Sequence, residues 1–224
     1  MIGHRGAARI ARENTLDGLA AAVDAGADLV EFDVGPGLEL GHPGGPASGL
    51  TLDDALAYLA PHPIGIHVDL KAVGIERELA AAATRHAVEE RVIVSTTWVR
   101  SLRRLAHEAP GITRAISYPR DRYGAGSVTW PRLFVAGTAA CVRPAMHVRM
   151  PPLLAAARAD ALSLHHALVS ASLVRAAHGR GAAVIAWTVN DPARIEALAL
   201  LDVDAIVSDD PRMALEVLAT LNSP

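Results

Sequence analysis

Glu31 and Asp33 lie within the segment Ala27–Asp33, whose apolar positions are typical of a buried parallel strand. Glu31 and Asp33 are two residues apart, so both side chains must point to the same face of that strand. Two buried carboxylates without a counter-ion would take up protons or destabilise the fold, and a divalent cation is the simplest partner for them. The spacing therefore indicates a metal site on one face of this strand.

Other polar residues that are unusual for a buried sheet also lie at the predicted ends of strands. A cluster of such side chains is costly to bury unless function requires it. Each of them alone would be weak support for a site, and it is their convergence that indicates one. The group comprises His4 and Arg5, Glu31 and Asp33, His67, Asp69 and Lys71, His165 and His166, and Trp187–Asn190.

Asp69 adds a third carboxylate to the pair formed by Glu31 and Asp33. Oxygen ligands of this kind suit a hard divalent cation, Mg²⁺ or Ca²⁺, and leave coordination positions for water and phosphate oxygens. Zinc is a poorer match, because the closely spaced candidates are carboxylates rather than histidines or cysteines. We therefore expect Glu31, Asp33 and Asp69 to be the metal ligands.

The cationic and imidazole side chains suit the hydrolysis of a phosphate ester. Arg5 and Lys71 would offset the negative charge on non-bridging phosphate oxygens. His4 and His42 would serve as general base and general acid, because imidazole titrates near neutral pH without a large perturbation. The sequence does not decide which histidine has which role.

Strand-like and helix-like segments alternate along the chain with a period of about 25–30 residues, as expected for strand-plus-helix units. Eight such units favour a closed (β/α)8 TIM barrel, of class α/β, over an open sheet, and this barrel has its catalytic groups at the carboxyl ends of the strands. One helix is predicted near Pro131–Ala140, and another begins at Pro151. The predicted strands are Ile2–Gly3, Asp28–Val34, Ile64–Leu70, Arg91–Thr96, Ile112–Ser117, Ala161–Leu164, Ala182–Val189 and Ala205–Ser208.

Length and composition predict a single domain over residues 1–224. With 51% hydrophobic residues and a net charge of -3, the chain has no bias toward nucleic acid or an anionic membrane. The single cysteine, Cys141, excludes an intramolecular disulfide, and a cytoplasmic location fits best. Met1 directly precedes a predicted strand and no apolar run approaches roughly 18 residues, so we expect neither a signal peptide nor a membrane span.

Several short motifs follow one another along the chain: Gly3–Gly6, Glu13–Thr15, Gly26–Asp28, Glu31–Val34, Asp69–Lys71, Ala186–Asn190 and Val203–Pro211. In this order they resemble the motifs of the glycerophosphodiester phosphodiesterase family, and the resemblance covers nearly the whole chain. Asp69 stands where that family usually has glutamate. The small insertion that usually follows the second histidine is reduced to Pro43–Leu50.

The resemblance implies a metal-dependent (β/α)8 barrel enzyme that cleaves glycerophosphodiesters to sn-glycerol 3-phosphate and an alcohol. The implied partner is a small-molecule substrate, whereas it is the composition that argues against nucleic acid and stable membrane insertion; the oligomeric state is left open. The implied acid/base pair is His4 and His42, the implied metal ligands are Glu31, Asp33 and Asp69, and the implied phosphate contacts are Arg5 and Lys71.

Two other functions stay open at this point. One is a phospholipase D-like enzyme that acts on a lysophospholipid or sphingolipid, although the polar character of Tyr118–Val128 argues against an apolar rim. The other is a non-catalytic barrel that binds a phosphate ligand. Trp187 either packs in the core or contacts substrate, and we assign it to substrate binding. His165 and His166 are expected to lie in a loop or to support ligands.

Overall fold

The computed structural model of the chain describes residues 1–42, 44–45, 48–119 and 143–221. In these residues, eight parallel strands alternate with eight α-helices along the sequence. The strands are β1 (Ile2–Gly3), β2 (Leu29–Val34), β3 (Gly65–Leu70), β4 (Val92–Thr96), β5 (Thr113–Tyr118), β6 (Ala161–His165), β7 (Ala183–Trp187) and β8 (Ala205–Ser208). The helices are α1 (Leu16–Asp24), α2 (Leu52–Leu59), α3 (Glu76–Arg85), α4 (Val99–Glu108), α5 (Met146–Ala157), α6 (Ala171–His178), α7 (Pro192–Ala199) and α8 (Pro211–Leu221).

The sheet closes on itself. Each strand pairs in parallel with the next along the chain, and β8 pairs with β1. The closing register joins Ile2 to Val207 on one side and to Leu29 on the other. The predicted (β/α)8 TIM barrel is therefore confirmed, whereas the domain bounds 1–224 stay a prediction. In this fold the carboxyl ends of all eight strands form one rim, which we call the catalytic rim.

The helix before β6 begins earlier than the sequence predicts. We expected it to begin at Pro151, because proline is favoured in the first helical turn. It begins at Met146 instead, so Pro151 and Pro152 lie inside the helix, where neither can donate a backbone hydrogen bond. The prediction of its start was therefore wrong. The helix predicted near Pro131–Ala140 lies outside the described residues.

Two apolar layers hold the barrel together. Outward-facing residues such as Phe32 and Val30 are buried against the surrounding helices. A smaller cluster fills the barrel interior, and Leu29 packs against it from β2. Because side chains alternate along a strand, Glu31 and Asp33 share the inward face with Leu29. The interior cluster comprises Ile2, Ala115, Ala161, Ile185 and Val207.

The loop after β1 is packed closely against the first turn of α1. Gly6 has a φ of 87°, and a Cβ at this position would lie 2.3 Å from the carbonyl carbon of Gly18. Thr15 caps α1, because its hydroxyl accepts a hydrogen bond from the Gly18 N–H at 3.2 Å. This close approach requires glycine at position 6 and holds the preceding His4 and Arg5 at the catalytic rim.

Candidate active site

The three predicted metal ligands lie side by side at the carboxyl ends of β2 and β3. Asp33 pairs in register with Asp69 on the neighbouring strand, and Glu31 lies one inward position earlier on β2. One carboxylate oxygen of each residue lies within 4.8 Å of the other two. Glu31 and Asp33 are only 3% and 1% exposed, whereas Asp69 is partly exposed. The structure therefore brings the three acids together, with one of them facing the mouth of the barrel.

Glu31 lies in an environment that favours its neutral form. Burial raises the pKa of Glu31 to about 7, and the charge of His4 only partly opposes this effect. The negative charges of Asp33 and Asp69 raise the pKa further. The backbone N–H of Arg5 donates a hydrogen bond to Oε2 at 2.7 Å, and Nε2 of His4 lies 4.0 Å from the same oxygen. Glu31 therefore needs a nearby cation to be fully ionised at neutral pH.

Asp33 is held in its ionised form by two cations. Nζ of Lys71 lies 3.0 Å from Oδ1, and Nε of Arg5 lies 2.9 Å from Oδ2 but is not directed at it as a hydrogen bond. Burial opposes ionisation, yet the charges of Lys71 and Arg5 outweigh it, so the pKa of Asp33 is lowered. The backbone N–H of Asp33 donates to Oδ1 of the buried Asn14 at 3.0 Å, which fixes the strand at this position.

Asp69 is fixed by side chains from β3 and β4. Lys71 donates a hydrogen bond to Oδ2, and Oγ of Ser95 donates to Oδ1 at 2.8 Å. Because the hydroxyl proton is used in this way, Nε2 of His67 must donate to Oγ of Ser95, 2.9 Å away. Burial lowers the pKa of His67 to about 4, so the ring is neutral. His67 therefore orients the hydroxyl of Ser95, and this hydroxyl in turn orients the carboxylate of Asp69.

His4 is oriented by an acid that follows the last strand. Its Nδ1 lies 2.5 Å from Oδ1 of Asp209, so Nδ1 carries the shared proton and donates it. Nδ2 of Asn190 donates to the other oxygen of Asp209 at 2.5 Å. Burial opposes protonation of His4, but the hydrogen bond with Asp209 and the charge of Glu31 outweigh it, so the pKa of His4 is raised. The Nε2 atom is left on the side of the carboxylates.

His42 lies in the loop that follows β2, and this loop folds back over the end of the strand. The backbone N–H of Gly41 donates to the carbonyl oxygen of Asp33 at 3.0 Å. The carbonyl oxygen of His42 accepts from the Gly45 N–H at 2.9 Å. The backbone of His42 is therefore next to Asp33, although the loop is short. The role of the His42 side chain stays a prediction.

A second group of polar and aromatic side chains lies at the ends of β6 and β7, and we call it the β6–β7 wall. His165 and Trp187 are paired in register, with ring centroids 5.4 Å apart and an interplanar angle of 86°. The ring of His165 stacks on His166, with centroids 4.6 Å apart. Arg194 donates from Nε to Nδ1 of His166 at 3.3 Å and also donates to its carbonyl oxygen. Burial lowers the pKa of both histidines, that of His166 to about 4.

The acids at the ends of β2 and β3 fit a hard divalent cation. Three carboxylates provide the oxygen donors that Mg²⁺ and Ca²⁺ prefer. Oδ2 of Asp33 is buried and accepts no hydrogen bond among the described residues, although Nε of Arg5 lies 2.9 Å away, so this oxygen keeps a lone pair for a cation. Two positively charged side chains, Arg5 and Lys71, already form ion pairs with Asp33. The site is therefore suited to a metal ion and an anionic ligand together.

Sequence comparison shows which enzymes this chain is related to. The model of the glycerophosphoryl diester phosphodiesterase family matches residues 4–35 and 60–213. The chain belongs to this family. The matched segments contain His4, the three clustered acids and Trp187, whereas His42 lies in the gap between them. No protein with a curated description matches the chain significantly.

Solved structures of glycerophosphodiester phosphodiesterases share the fold of this family member. The enzyme of Parabacteroides distasonis has a TM-score of 0.75 at 17% identity, over 99% of this chain and 97% of that one. An Oleispira antarctica phosphodiesterase, solved with the product sn-glycerol-3-phosphate, has a TM-score of 0.72 at 20% identity, over 97% and 96% of the two chains. The enzyme of Agrobacterium tumefaciens has a TM-score of 0.66 at 19% identity, over 96% and 98%. At these identities the likeness shows the fold alone.

The predicted family and its enzyme class, a phosphoric diester hydrolase, are confirmed by the family match. No residue pattern in the sequence assigns a role to Asp209 or Ser95, although Asp209 lies in the motif Val203–Pro211. The usable signal was topological, because a closed barrel makes the end of β8 a neighbour of His4 on β1. His165, placed by the sequence at the end of a predicted strand and expected to lie in a loop or to support ligands, is the last residue of β6 and lies beside Trp187. Its supporting role stays a prediction.

Proposed function

We propose that this chain hydrolyses glycerophosphodiesters to sn-glycerol 3-phosphate and an alcohol, and that it requires Mg²⁺ or Ca²⁺. The observation that carries the proposal is the set of three carboxylate oxygens within 4.8 Å of one another at the catalytic rim. Family membership supports the reaction class. The product found in the Oleispira antarctica structure supports the assignment of sn-glycerol 3-phosphate as product.

Glu31, Asp33 and Asp69 would hold the cation. When bound, the cation polarises the phosphate and offsets the charge that develops on its oxygens. The neutral form of Glu31 that burial favours is incompatible with ligation, so cation binding and loss of its proton are linked. Asp33 is held ionised by Lys71 and Arg5 and is ready to ligate without such a change.

Arg5 and Lys71 would bind the non-bridging oxygens of the phosphate. Both side chains lie at the carboxylates, within 3.0 Å of Asp33 oxygens, and neither is fully exposed. The guanidinium of Arg5 offers several donors in a planar arrangement, and Lys71 offers a compact charge. Trp187, on the other side of the rim, would pack against the part of the substrate beyond the phosphate.

His4 and His42 would form the acid/base pair. In His4 the proton-transferring atom is Nε2, because Nδ1–H is donated to Asp209. Asp209 keeps the ring in this tautomer and stabilises its protonated form. His42 would transfer the second proton from the loop after β2.

Hydrolysis of three diesters tests the proposal: glycerophosphocholine, glycerophosphoethanolamine and glycerophosphoglycerol, each with Mg²⁺, Ca²⁺ or EDTA. We expect metal-dependent release of glycerol 3-phosphate that falls about 100-fold or more in His4→Gln, His42→Ala and Glu31→Gln. His107→Ala, which changes an exposed histidine on α4, is the matched control. Unchanged release in His4→Gln or Glu31→Gln would refute the assignment. Activity confined to lysophospholipids or sphingomyelin would favour the phospholipase D-like alternative.

We further propose a cytoplasmic protein that acts on a small soluble substrate. The composition, with a net charge of -3 and one cysteine, supports this location. In the part of the chain that the structure describes, no helix has the length and apolar character needed to cross a membrane. Fractionation of the native cells with a membrane wash would test the location.

A further inference from the structure

The β6–β7 wall lies across the mouth of the barrel from the three acids. In a closed ring of eight strands, β6 is four strands from β2 and β7 is four strands from β3. Trp187 packs on the interior cluster, and His165 is two positions beyond the inward-facing Ser163. A phosphodiester whose phosphate lies at the acids therefore has this wall in front of one of its two organic groups.

The wall is held in place from behind. Arg194 is anchored to both the ring and the carbonyl oxygen of His166. The His166 ring in turn stacks on His165, at an interplanar angle of 28°. His165 meets the ring of Trp187 edge to face. Three rings that each contact the next form a rigid surface, and rigid aromatic surfaces pack well against the C–H groups of a polyol.

The tautomer of His165 is fixed by its own loop. Its Nδ1 accepts a hydrogen bond from the backbone N–H of Ala167 at 3.3 Å. An imidazole nitrogen that accepts carries no proton, so in the neutral ring the proton is on Nε2. Burial and the charge of Arg194 keep the ring neutral by lowering its pKa. His165, at the carboxyl end of β6, therefore carries a neutral Nε2–H donor.

We propose that His165 is a specificity-determining residue that binds the glycerol group of the substrate, with Nε2–H donated to a glycerol hydroxyl and the ring of Trp187 against the glycerol carbons. This inference rests on the proposed function, and it identifies which organic group faces the wall. A neutral donor matches a hydroxyl oxygen, whereas a quaternary ammonium has no acceptor to offer it. The guanidinium of Arg194 behind the wall also repels a cationic alcohol such as choline.

Binding measurements separate the two halves of the substrate. Calorimetric titration compares two ligands, sn-glycerol 3-phosphate and ethyl phosphate, in buffer that contains Mg²⁺ or Ca²⁺. Both ligands carry the phosphate, but only glycerol 3-phosphate carries hydroxyl groups. We expect His165→Phe, which keeps a ring and loses the donor, to weaken glycerol 3-phosphate about 10-fold and to leave ethyl phosphate unchanged. His165→Gln, whose side-chain amide can reach the position of Nε2, should recover part of the loss. His107→Ala is the control for both ligands.

Two results would overturn the inference. One is wild-type protein that binds glycerol 3-phosphate no more tightly than ethyl phosphate. The other is an equal loss for both ligands in His165→Phe, which would indicate a general disturbance of the site. Turnover of glycerophosphocholine is measured on the same samples. If wild type turns over glycerophosphocholine and one of these two binding results is found, only the role of His165 is refuted. If wild type shows no turnover, the proposed function is refuted.

Discussion

The hydrogen bonds from His67 to Ser95 and from Ser95 to Asp69 lead to a prediction about the stability of the protein. Ser95→Ala removes the acceptor of a buried His67 N–H whose other ring nitrogen already has no partner in the described part of the chain. An unsatisfied buried donor costs about 1–3 kcal/mol. For a chain of this size, this corresponds to a fall of roughly 2–12 °C in the midpoint of thermal unfolding. Ser95→Ala should therefore destabilise the protein by about 2 kcal/mol.

Adding His67→Leu to Ser95→Ala should restore stability rather than reduce it further. His67→Leu removes the donor that Ser95→Ala leaves unpaired, and it keeps a side chain of similar volume in the barrel. We expect the double variant to be about 1 kcal/mol more stable than Ser95→Ala alone, a clear departure from additivity. Ser163→Ala, a buried serine on β6, is the matched control and should show no coupling to His67→Leu.

Urea unfolding of wild type, the three single variants and the two double variants in EDTA measures these differences, because EDTA removes any contribution of bound metal to stability. In parallel, calorimetric titration with Mg²⁺ or Ca²⁺ should show a roughly 10-fold weaker affinity in Ser95→Ala, since Ser95 orients the proposed ligand Asp69. Strictly additive effects of the two substitutions on the free energy of unfolding would refute the described direction of the hydrogen bonds.

Three further predictions concern other parts of the molecule. Asp209→Asn should lower kcat for glycerophosphocholine by about 100-fold or more, because His4 loses the acid that fixes its tautomer. The control is Asp204→Asn, which alters the Asp204–His178 pair away from the catalytic rim and should leave kcat within about 3-fold of wild type. Phe32→Ala should cost about 3–5 kcal/mol in urea unfolding, because Phe32 is fully buried between β2 and the helices. Burial lowers the folded-state pKa of His166 to about 4, whereas the unfolded value is about 6.5. The free energy of unfolding should therefore be unaffected by this ring above pH ~6.5 and should decrease by about 1–2 kcal/mol as the pH falls toward 4, since the ring is partly exposed. Unfolding of His166→Gln should depend less on pH over this range.

Much of the barrel could be predicted because its signals are local. Short, mainly apolar runs between helix-like segments identify the strands, and alternation along a strand identifies Glu31, Asp33 and Asp69 as inward neighbours. The parallel register that joins Asp33 to Asp69 then follows from the fold. The start of α5 could not be predicted, because two prolines inside a helix contradict the local preference and tertiary packing decides the outcome.

The supporting contacts of the site could not be predicted, because they join residues that meet only when the barrel closes. Asp209 and His4 are 205 residues apart in sequence and contact each other across the β8–β1 seam. Ser95 reaches Asp69 across the β3–β4 pairing, and no motif of the chain marks that serine. Residues that touch substrate leave a signal in residue type, whereas residues that orient them leave one mainly in three dimensions.

The proposed function requires that the three acids hold a divalent cation with which the chain cleaves glycerophosphodiesters. The most direct test is the release of sn-glycerol 3-phosphate from glycerophosphocholine by wild-type protein that has been treated with EDTA and then supplied with Mg²⁺ or Ca²⁺. We expect no release after EDTA, full release after one of the two cations is restored, and no restoration in Asp33→Asn. Undiminished release in EDTA, or full restoration in Asp33→Asn, would show that these acids do not hold a cation that the reaction needs.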